Sequence, residues 1–299
     1  MYFEQTELLN IAFEAQGVSS GEPVVLLHGW PDSPASWMPI ASKLQDRGFR
    51  TIAPYLRGSH PTKFLSPATP RFAGAVAMAQ DVVDLADKLG ISEFAVVGHD
   101  WGARIAYTLA ALYPKRIRAL ATLALAYQPR GEFHLGSFQQ SKQFWYQFFQ
   151  CTDAGAEAVR RDPIGFARIQ WDTWSPEGWF AEEDFELASR HFDRPDWAEI
   201  TLNAYRSRYL KGEAFDSRYD ELQARLKDNV LLDVPTVMIQ GASDFCDLPS
   251  ASEGQEKHFR NGYKRILLSG VGHFPHRENP SAVADAVLHL LMENGSHSK

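Results

Sequence analysis

One stretch, FAVVGHDWGARIAYTLAAL at residues 94–112, constrains the fold more than any other part of the chain. The apolar run FAVV predicts a buried strand, and ARIAYTLAAL carries apolar residues at helical spacing. Gly98 and Gly102 lie on either side of Asp100 between them. Glycine at both positions relieves crowding where a strand turns sharply into a helix. The sequence therefore predicts a strand-turn-helix unit with a carboxylate at its turn.

Strand-helix alternation extends over most of the chain. Buried strands are predicted at PVVLLHG, FRTIAPYLRG, EFAVVGHD and IRALATLALAY, and later at PTVMIQG and YKRILLSG, with amphipathic helices between them. From about residue 128 to 229 the strand pattern gives way to aromatic-rich helical patterns. Such alternation predicts an α/β fold with a mostly parallel twisted sheet and helices on both faces. We predict a core of residues 1–127 and 230–299 and an inserted helical cap of residues 128–229.

Composition argues against several classes of function. The net charge of −7 and isoelectric point of about 5.8 disfavour a nucleic-acid partner, which calls for basic patches. No apolar run approaches the length of a membrane span, and the first residues lack the pattern of a secretory signal. Cys151 and Cys246 fit no CxxC pattern, so we expect neither a disulfide framework nor a zinc site, and a cytoplasmic location. The final NGSHSK is typical of a frayed tail.

Asp100 occupies the position at which the G-x-S-x-G turn of hydrolases carries a nucleophilic serine. A carboxylate needs no base to activate it, and it suits attack on a saturated carbon. The alternative is that Asp100 only caps the helix that follows. That alternative does not account for the two partner residues found further along the chain.

Two later loops supply those partners. GVGHFPHRENP places His273 between the last strand and the last helix, and MIQGASDFCDLP places Asp244 directly after a strand. Asp244 is suited to orient an imidazole there, with Asp247 as its rival. We expect His276 to be a surface histidine near a helix start. The order Asp100, Asp244, His273 is then nucleophile, acid, histidine, the order of α/β-hydrolases.

The segment LLHGWPDS suggests where a developing negative charge is held. The backbone after such an HG turn usually contributes one oxyanion donor in this fold, and the residue after the nucleophile contributes the other. These are the N–H groups of Trp30 and Trp101. His28 is expected to be a structural histidine of the turn.

With these motifs the chain resembles the epoxide hydrolase and haloalkane dehalogenase branch of the α/β-hydrolases. HGWP, GHDWGA, the DFxxxP of residues 244–249 and GHFP carry the resemblance, which covers nearly the whole chain. It implies that Asp100 attacks a carbon bearing an epoxide oxygen or a halide and forms an ester. His273, oriented by Asp244, then activates the water that hydrolyses the ester. The resemblance implies a small apolar electrophilic substrate and no metal or organic cofactor, and it leaves a homo-oligomer open.

The leaving group depends on the predicted cap. Epoxide hydrolases usually present two cap tyrosines, and Tyr205 in LNAYRSRY matches the motif of one. Alignment on a shared FFQ ending puts Trp145 at the other position, with Tyr146 one residue along. Neighbours on a helix point about 100° apart, so both cannot enter the site equally. We expect an epoxide hydrolase that forms a vicinal diol.

Two alternatives stay open. A haloalkane dehalogenase would hold the halide through N–H donors. Trp101 would be the first donor, and the indole of Trp145 would be a second donor from the cap. The asparagine usual in the HG turn of such enzymes is replaced here by Trp30. A ligand-binding receptor on the hydrolase fold is the alternative outside the enzymes.

Overall fold

The computed structural model describes residues 1–134 and 136–295 and centres on a nine-stranded sheet. The strand order is β1-β2-β4-β3-β6-β7-β8-β9, and β5 pairs with β2. All pairs from β4 through β9 are parallel, whereas the pairs that involve β2 are antiparallel. The strands span β1 Tyr2–Gln5, β2 Leu9–Gln16, β3 Pro23–Leu27, β4 Arg50–Pro54, β5 Lys63–Phe64, β6 Phe94–His99, β7 Ile117–Leu123, β8 Thr236–Gly241 and β9 Tyr263–Leu268.

Twelve α-helices accompany the sheet within the described ranges. They span α1 Met38–Gln45, α2 Ala75–Lys88, α3 Trp101–Leu112, α4 Phe138–Gln143, α5 Trp145–Gln150, α6 Asp153–Arg161, α7 Pro163–Thr173, α8 Glu182–Ser189, α9 Pro195–Arg206, α10 Asp220–Asp228, α11 Pro275–Glu278 and α12 Pro280–Glu293. In the same part of the chain, no helix combines the length and the apolar character that crossing a bilayer would require.

The two faces of the sheet are covered by separate apolar clusters. Val24 and Leu26 of β3 pack in one cluster with residues of α1 and α12, while Val25 and Leu27 pack in the other with residues of α2 and α3. Successive side chains of a strand point to opposite faces, so the continuous apolar run of β3 serves both. Each fully buried valine or leucine contributes about 1.5–3 kcal/mol to folding.

The predicted α/β fold with a mainly parallel sheet is confirmed, and every predicted core strand is present. Strands β1, β2 and β5 were not predicted from the sequence. Helices α4 to α10 lie between residues 138 and 228, within the range predicted as the cap, whose boundaries stay a prediction. We call residues 128–229 the helical segment. The predicted frayed tail at residues 294–299 lies largely outside the described residues.

The turn between β6 and α3 depends on its glycines. A Cβ atom on Gly102 would overlap the carbonyl of Leu27 at the end of β3, and one on Gly98 would overlap the carbonyl of Gly102. Between them, Asp100 adopts φ 50° and ψ −110°, a region that non-glycine residues seldom occupy. The close backbone contact therefore holds Asp100 in a strained conformation at the sheet edge.

Gly102→Ala should test this contact. The new methyl group meets backbone atoms of β3 that cannot move without disturbing the sheet, and overpacking typically costs about 1–3 kcal/mol or more. We expect the free energy of unfolding in urea to fall by about 3 kcal/mol. Gly136→Ala, where the nearest atoms lie at an ordinary 3.4 Å, is the matched control. Equal stability of the two variants would show that the turn has room to spare.

Candidate active site

Asp100 lies at the junction of β6 and α3, where its side chain reaches the edge formed by the carboxyl ends of the parallel strands. Its backbone N–H donates to the Leu123 carbonyl of β7 at 3.1 Å, which fixes the turn against the neighbouring strand. The N–H of Trp30 donates to Asp100 Oδ1 at 2.9 Å. The predicted donor of the HG turn thus contacts the carboxylate directly.

Trp101 supplies the second predicted donor position. It is the first residue of α3, and the first amides of a helix have no partner within the helix. The positive end of the helix dipole also points toward Asp100. The Trp30 and Trp101 amides therefore both lie where they could hold negative charge on an Asp100 oxygen.

Asp244 and His273 form a buried pair. His273 Nδ1 lies 2.9 Å from Asp244 Oδ2 and 3.0 Å from Oδ1. The Asp244 carboxylate also accepts the amides of Cys246 and Asp247 at 2.8 and 3.0 Å and the Gln240 side chain at 2.8 Å. The structure thus brings Asp244 to the imidazole, and its rival Asp247 takes part only through its backbone.

The other imidazole nitrogen faces the proposed nucleophile. His273 Nε2 lies 3.8 Å from Asp100 Oδ2, and it has no hydrogen-bond partner among the described residues. Burial alone would lower the pKa of His273, but the Asp244 carboxylate and then Asp100 raise it to about 10. The histidine is therefore an imidazolium while Asp100 carries its charge.

Trp174 and Ser175, at the end of α7, fasten the loops that carry this pair. The His273 N–H donates to Ser175 Oγ at 2.8 Å, and that hydroxyl donates to Glu278 Oε1 at 2.7 Å. The Phe245 N–H donates to the Trp174 carbonyl at 3.1 Å. Sequence analysis missed Ser175 and Glu278, because neither belongs to a motif and their contacts join distant parts of the chain.

Two tyrosine hydroxyls approach Asp100 from the helical segment. Tyr205 on α9 and Tyr146 on α5 are buried, and their ring centroids lie 5.3 Å apart. The Trp101 indole N–H donates to the Tyr205 hydroxyl oxygen at 2.9 Å, and the Gln147 amide donates to that of Tyr146 at 3.1 Å. Burial, with a contribution from Asp100, raises the pKa of both phenols well above 10. Both therefore keep their protons at neutral pH.

Trp145, predicted as a candidate leaving-group donor, lies outside this arrangement. It is 39% exposed and packs on Phe149 and Phe166, whereas Tyr146 is 2% exposed. The register of α5 turns Tyr146 inward and Trp145 outward, as the angle of about 100° between helical neighbours requires. Of the two candidates that the sequence left open on this helix, the structure brings Tyr146 and not Trp145 to the wall near Asp100.

The prediction of a surface position for His276 is also wrong. His276 is fully buried, its ring lies 4.6 Å from that of Trp37, and its Nε2 lies 3.3 Å from Asp32 Oδ2. The short helix α11 turns inward beneath the His273 loop instead of facing solvent. His28, in contrast, is a buried turn residue whose Nε2 accepts the Leu56 amide at 3.2 Å.

Asp32, His99 and His276 present ligand atoms within 4.8 Å of one another, a geometry that could hold a metal ion. Arg277 binds Asp32 at 2.6 Å, and this pairing holds the pKa of Asp32 well below its usual range although burial alone would raise it. The positive charge of Arg277 beside Asp32 disfavours the binding of a metal cation to this cluster. His99 Nε2 lies 2.7 Å from the His273 carbonyl, so the cluster contacts the loop that carries His273.

A narrow space, which we call the nucleophile chamber, joins these groups. Its wall includes Asp100, Trp101, Tyr146, Tyr205 and His273. A larger space of about 530 Å³, which we call the large cavity, shares Trp101 and further residues of that wall. The chamber therefore adjoins a cavity of the size that small-molecule ligands occupy.

Comparison with known proteins shows the family to which the chain belongs. A family model described as alpha/beta hydrolase fold matches residues 22–280. The chain belongs to this family. It is 37% identical over 314 residues to epoxide hydrolase 2 of Siraitia grosvenorii, covering 94% of this chain and 95% of that protein. It is 26% identical over 310 residues to epoxide hydrolase A of Mycobacterium tuberculosis, covering 92% of each.

Solved structures agree as well. The crystal structure of a candidate epoxide hydrolase from Klebsiella pneumoniae superposes with a TM-score of 0.90 at 35% identity, covering 97% of this chain and 96% of that one. The predicted α/β-hydrolase fold and the predicted epoxide hydrolase branch are confirmed.

The raised pKa of His273 gives a prediction for Asp100→Asn. Removing that negative charge removes part of what favours the imidazolium, so the His273 pKa should fall below about 10. NMR titration of the imidazole from pH 6 to 11 should show His273 losing its proton at a lower pH in the variant than in the wild type. Coincident midpoints would mean that Asp100 and His273 do not interact.

Proposed function

We propose that the protein is an epoxide hydrolase that works through a covalent ester on Asp100. The observation that carries this proposal is the pair of buried, protonated hydroxyls on Tyr146 and Tyr205 beside a carboxylate nucleophile. An epoxide that opens leaves an alkoxide, which needs a proton donor. Two phenols beside the nucleophile meet that need without special tuning.

In the first step an Asp100 oxygen attacks an epoxide carbon, the carbon-oxygen bond breaks, and the ring oxygen takes a proton from a tyrosine. Because the Trp101 indole N–H already donates to the Tyr205 oxygen, the O–H of Tyr205 is left to donate to substrate. The product of this step is a hydroxyalkyl ester of Asp100.

In the second step His273 changes its role. Esterification removes the charge of Asp100, so the pKa of His273 falls and the imidazole becomes able to take a proton from water. The proton that His273 releases replaces the one that the tyrosine gave to the alkoxide, so the tyrosine is protonated again. Water gives a proton to His273 as it attacks the ester carbonyl, and the Trp30 and Trp101 amides hold the oxyanion. The acyl carbon–oxygen bond then breaks, the diol leaves with the hydroxyl proton of the intermediate, and Asp100 is again a carboxylate beside a protonated His273. Asp244 orients the imidazole and stabilises its charged form.

The haloalkane dehalogenase alternative is less well supported. A halide site needs free N–H donors, and the indole of Trp101 donates to Tyr205 while that of Trp30 donates to Thr201 at 2.9 Å. Trp145 faces away from the chamber. A ligand-binding receptor would not need the buried Asp244–His273 pair. Because burying an ion pair is costly, its presence favours an enzyme.

The substrate proposed is a small epoxide with an apolar body, since the wall of the large cavity is mostly apolar. The helical segment is proposed to act as the cap that closes over it. A cytoplasmic location is also proposed, and it is supported by the two free cysteines, Cys151 and Cys246.

His273→Gln tests the covalent mechanism. The variant keeps the nucleophile and loses the base, so the ester should form and persist. Intact-protein mass spectrometry after incubation with an epoxide that the wild type opens should show one added substrate mass. The double variant with Asp100→Asn should show none. A folded His273→Gln protein that never gains mass would contradict the two-step scheme.

Tyr205→Phe tests the leaving group. General acid assistance is typically worth about 10²–10⁴-fold, and with Tyr146 still present we expect epoxide alkylation to slow by about 10²-fold. Alkylation by a haloalkane of similar shape needs no proton and should change far less. Tyr113→Phe, which removes a hydroxyl bonded to Gln80, is the control. Equal slowing with both substrates would reduce Tyr205 to a packing role.

A further inference from the structure

Two arginine side chains lie where the nucleophile chamber meets the large cavity. Arg104 lies on α3, one helical turn after Asp100, and Arg208 lies just beyond the end of α9, close to Tyr205. Both line the chamber and both line the large cavity. The two arginine side chains therefore lie on the wall that separates Asp100 from the large cavity.

Neither arginine has a carboxylate within ion-pair distance in the part of the chain that the structure describes. Arg104 donates to the Gln128 amide oxygen at 2.9 Å, and Arg208 donates to that of Gln147 at 3.0 Å. The Arg104 Nε atom is buried without a hydrogen-bond partner among the described residues. The neutral amides give neither half-buried guanidinium a counter-ion, and a partly desolvated charge without a counter-ion is costly.

The two charges also act on each other. Burial, and next the proximity of Arg208, lower the pKa of Arg104 to about 10. Asp100 and Asp247 are the carboxyls of the chamber wall. Asp100 attracts Arg104, but its charge disappears on esterification. Burial, and next Asp244, raise the pKa of Asp247 to about 7, so that group supplies only part of a charge at neutral pH.

At the mouth of the large cavity the carboxylate of Glu132 lies 3.6 Å from the His134 ring, and both side chains are exposed. Lys227 adds a further positive charge to the same wall. The inner end of the cavity therefore carries two guanidinium groups, neither of which has a carboxylate within ion-pair distance among the described residues. The remaining wall is largely apolar, with Phe72 and Met78 among its residues.

We propose that the substrate is an epoxide that also carries a carboxylate, which Arg104 and Arg208 bind at the entrance of the chamber. The fork of an arginine fits a carboxylate in a bidentate manner, and charge-assisted hydrogen bonds are the strong ones. The epoxide then lies beside Asp100 and the apolar body fills the large cavity. This inference rests on the proposed function and narrows its substrate class.

Binding of an unreactive acid tests the arginine site without any turnover. Isothermal titration calorimetry should show that wild-type protein binds phenylacetate about tenfold or more tightly than phenylacetamide. Arg104→Met and Arg208→Met, on different elements, should each abolish the difference, and Arg104→Lys should keep part of it. Arg161→Met, an exposed arginine at the end of α6, is the control and should keep it all. Equal affinity of wild-type protein for acid and amide would overturn the proposal.

Turnover of a matched pair separates this proposal from the proposed function. The ratio of kcat/KM for phenylglycidate to that for phenylglycidamide should be about ten or more in wild type and should fall toward one in both methionine variants. A ratio taken within one protein cancels any disturbance of Tyr205 by the loss of Arg208.

The two failures look different. If wild-type protein opens the acid and the amide equally well, the carboxylate site is wrong and the proposed function stands. If it opens neither of them, nor a neutral epoxide such as styrene oxide, but still prefers phenylacetate, the proposed function is wrong and the arginine site stands.

Discussion

The site depends on one backbone contact, the approach of the first turn of α3 to the end of β3. Because Gly102 has no side chain, the helix can start directly against the Leu27 carbonyl, and Asp100 is held at φ 50° between strand and helix. The same approach brings the loop after β3 to the carboxylate, so the Trp30 amide reaches Asp100 at 2.9 Å. The strain at Asp100 is offset by the packing of three elements that meet there.

Features encoded by local pattern could be predicted from the sequence. The strands from β3 onward are continuous apolar runs with glycine turns, and a parallel sheet follows from their alternation with helices. Asp100, Asp244 and His273 were found because each follows a strand at the edge where the carboxyl ends of parallel strands gather. Strands β1 and β2 were not predicted, because they form an antiparallel hairpin whose residues mix polar and apolar types.

Features decided by tertiary packing could not be predicted. Trp145 and Tyr146 are neighbours of similar character, and only the register of α5 against α9 decides which faces Asp100. His276 follows a proline and precedes an arginine, a context typical of the surface. It is buried nevertheless, and the Asp32 carboxylate contacts both its ring and the Arg277 guanidinium. Arg104 belongs to no sequence motif, and only the two cavities that it lines single it out.

Ser175 joins the helical segment to the loop that carries His273. Its hydroxyl accepts the His273 N–H and donates to Glu278, while the neighbouring Trp174 carbonyl holds the loop of Asp244. If the helical segment lifted at this end, the loops of His273 and Asp244 would both lose an anchor. In the proposed function, opening of the helical segment to a substrate and the placement of His273 and Asp244 would therefore depend on the same pair of residues. Bulk water that enters an opened site would meet an imidazole that is no longer held in place.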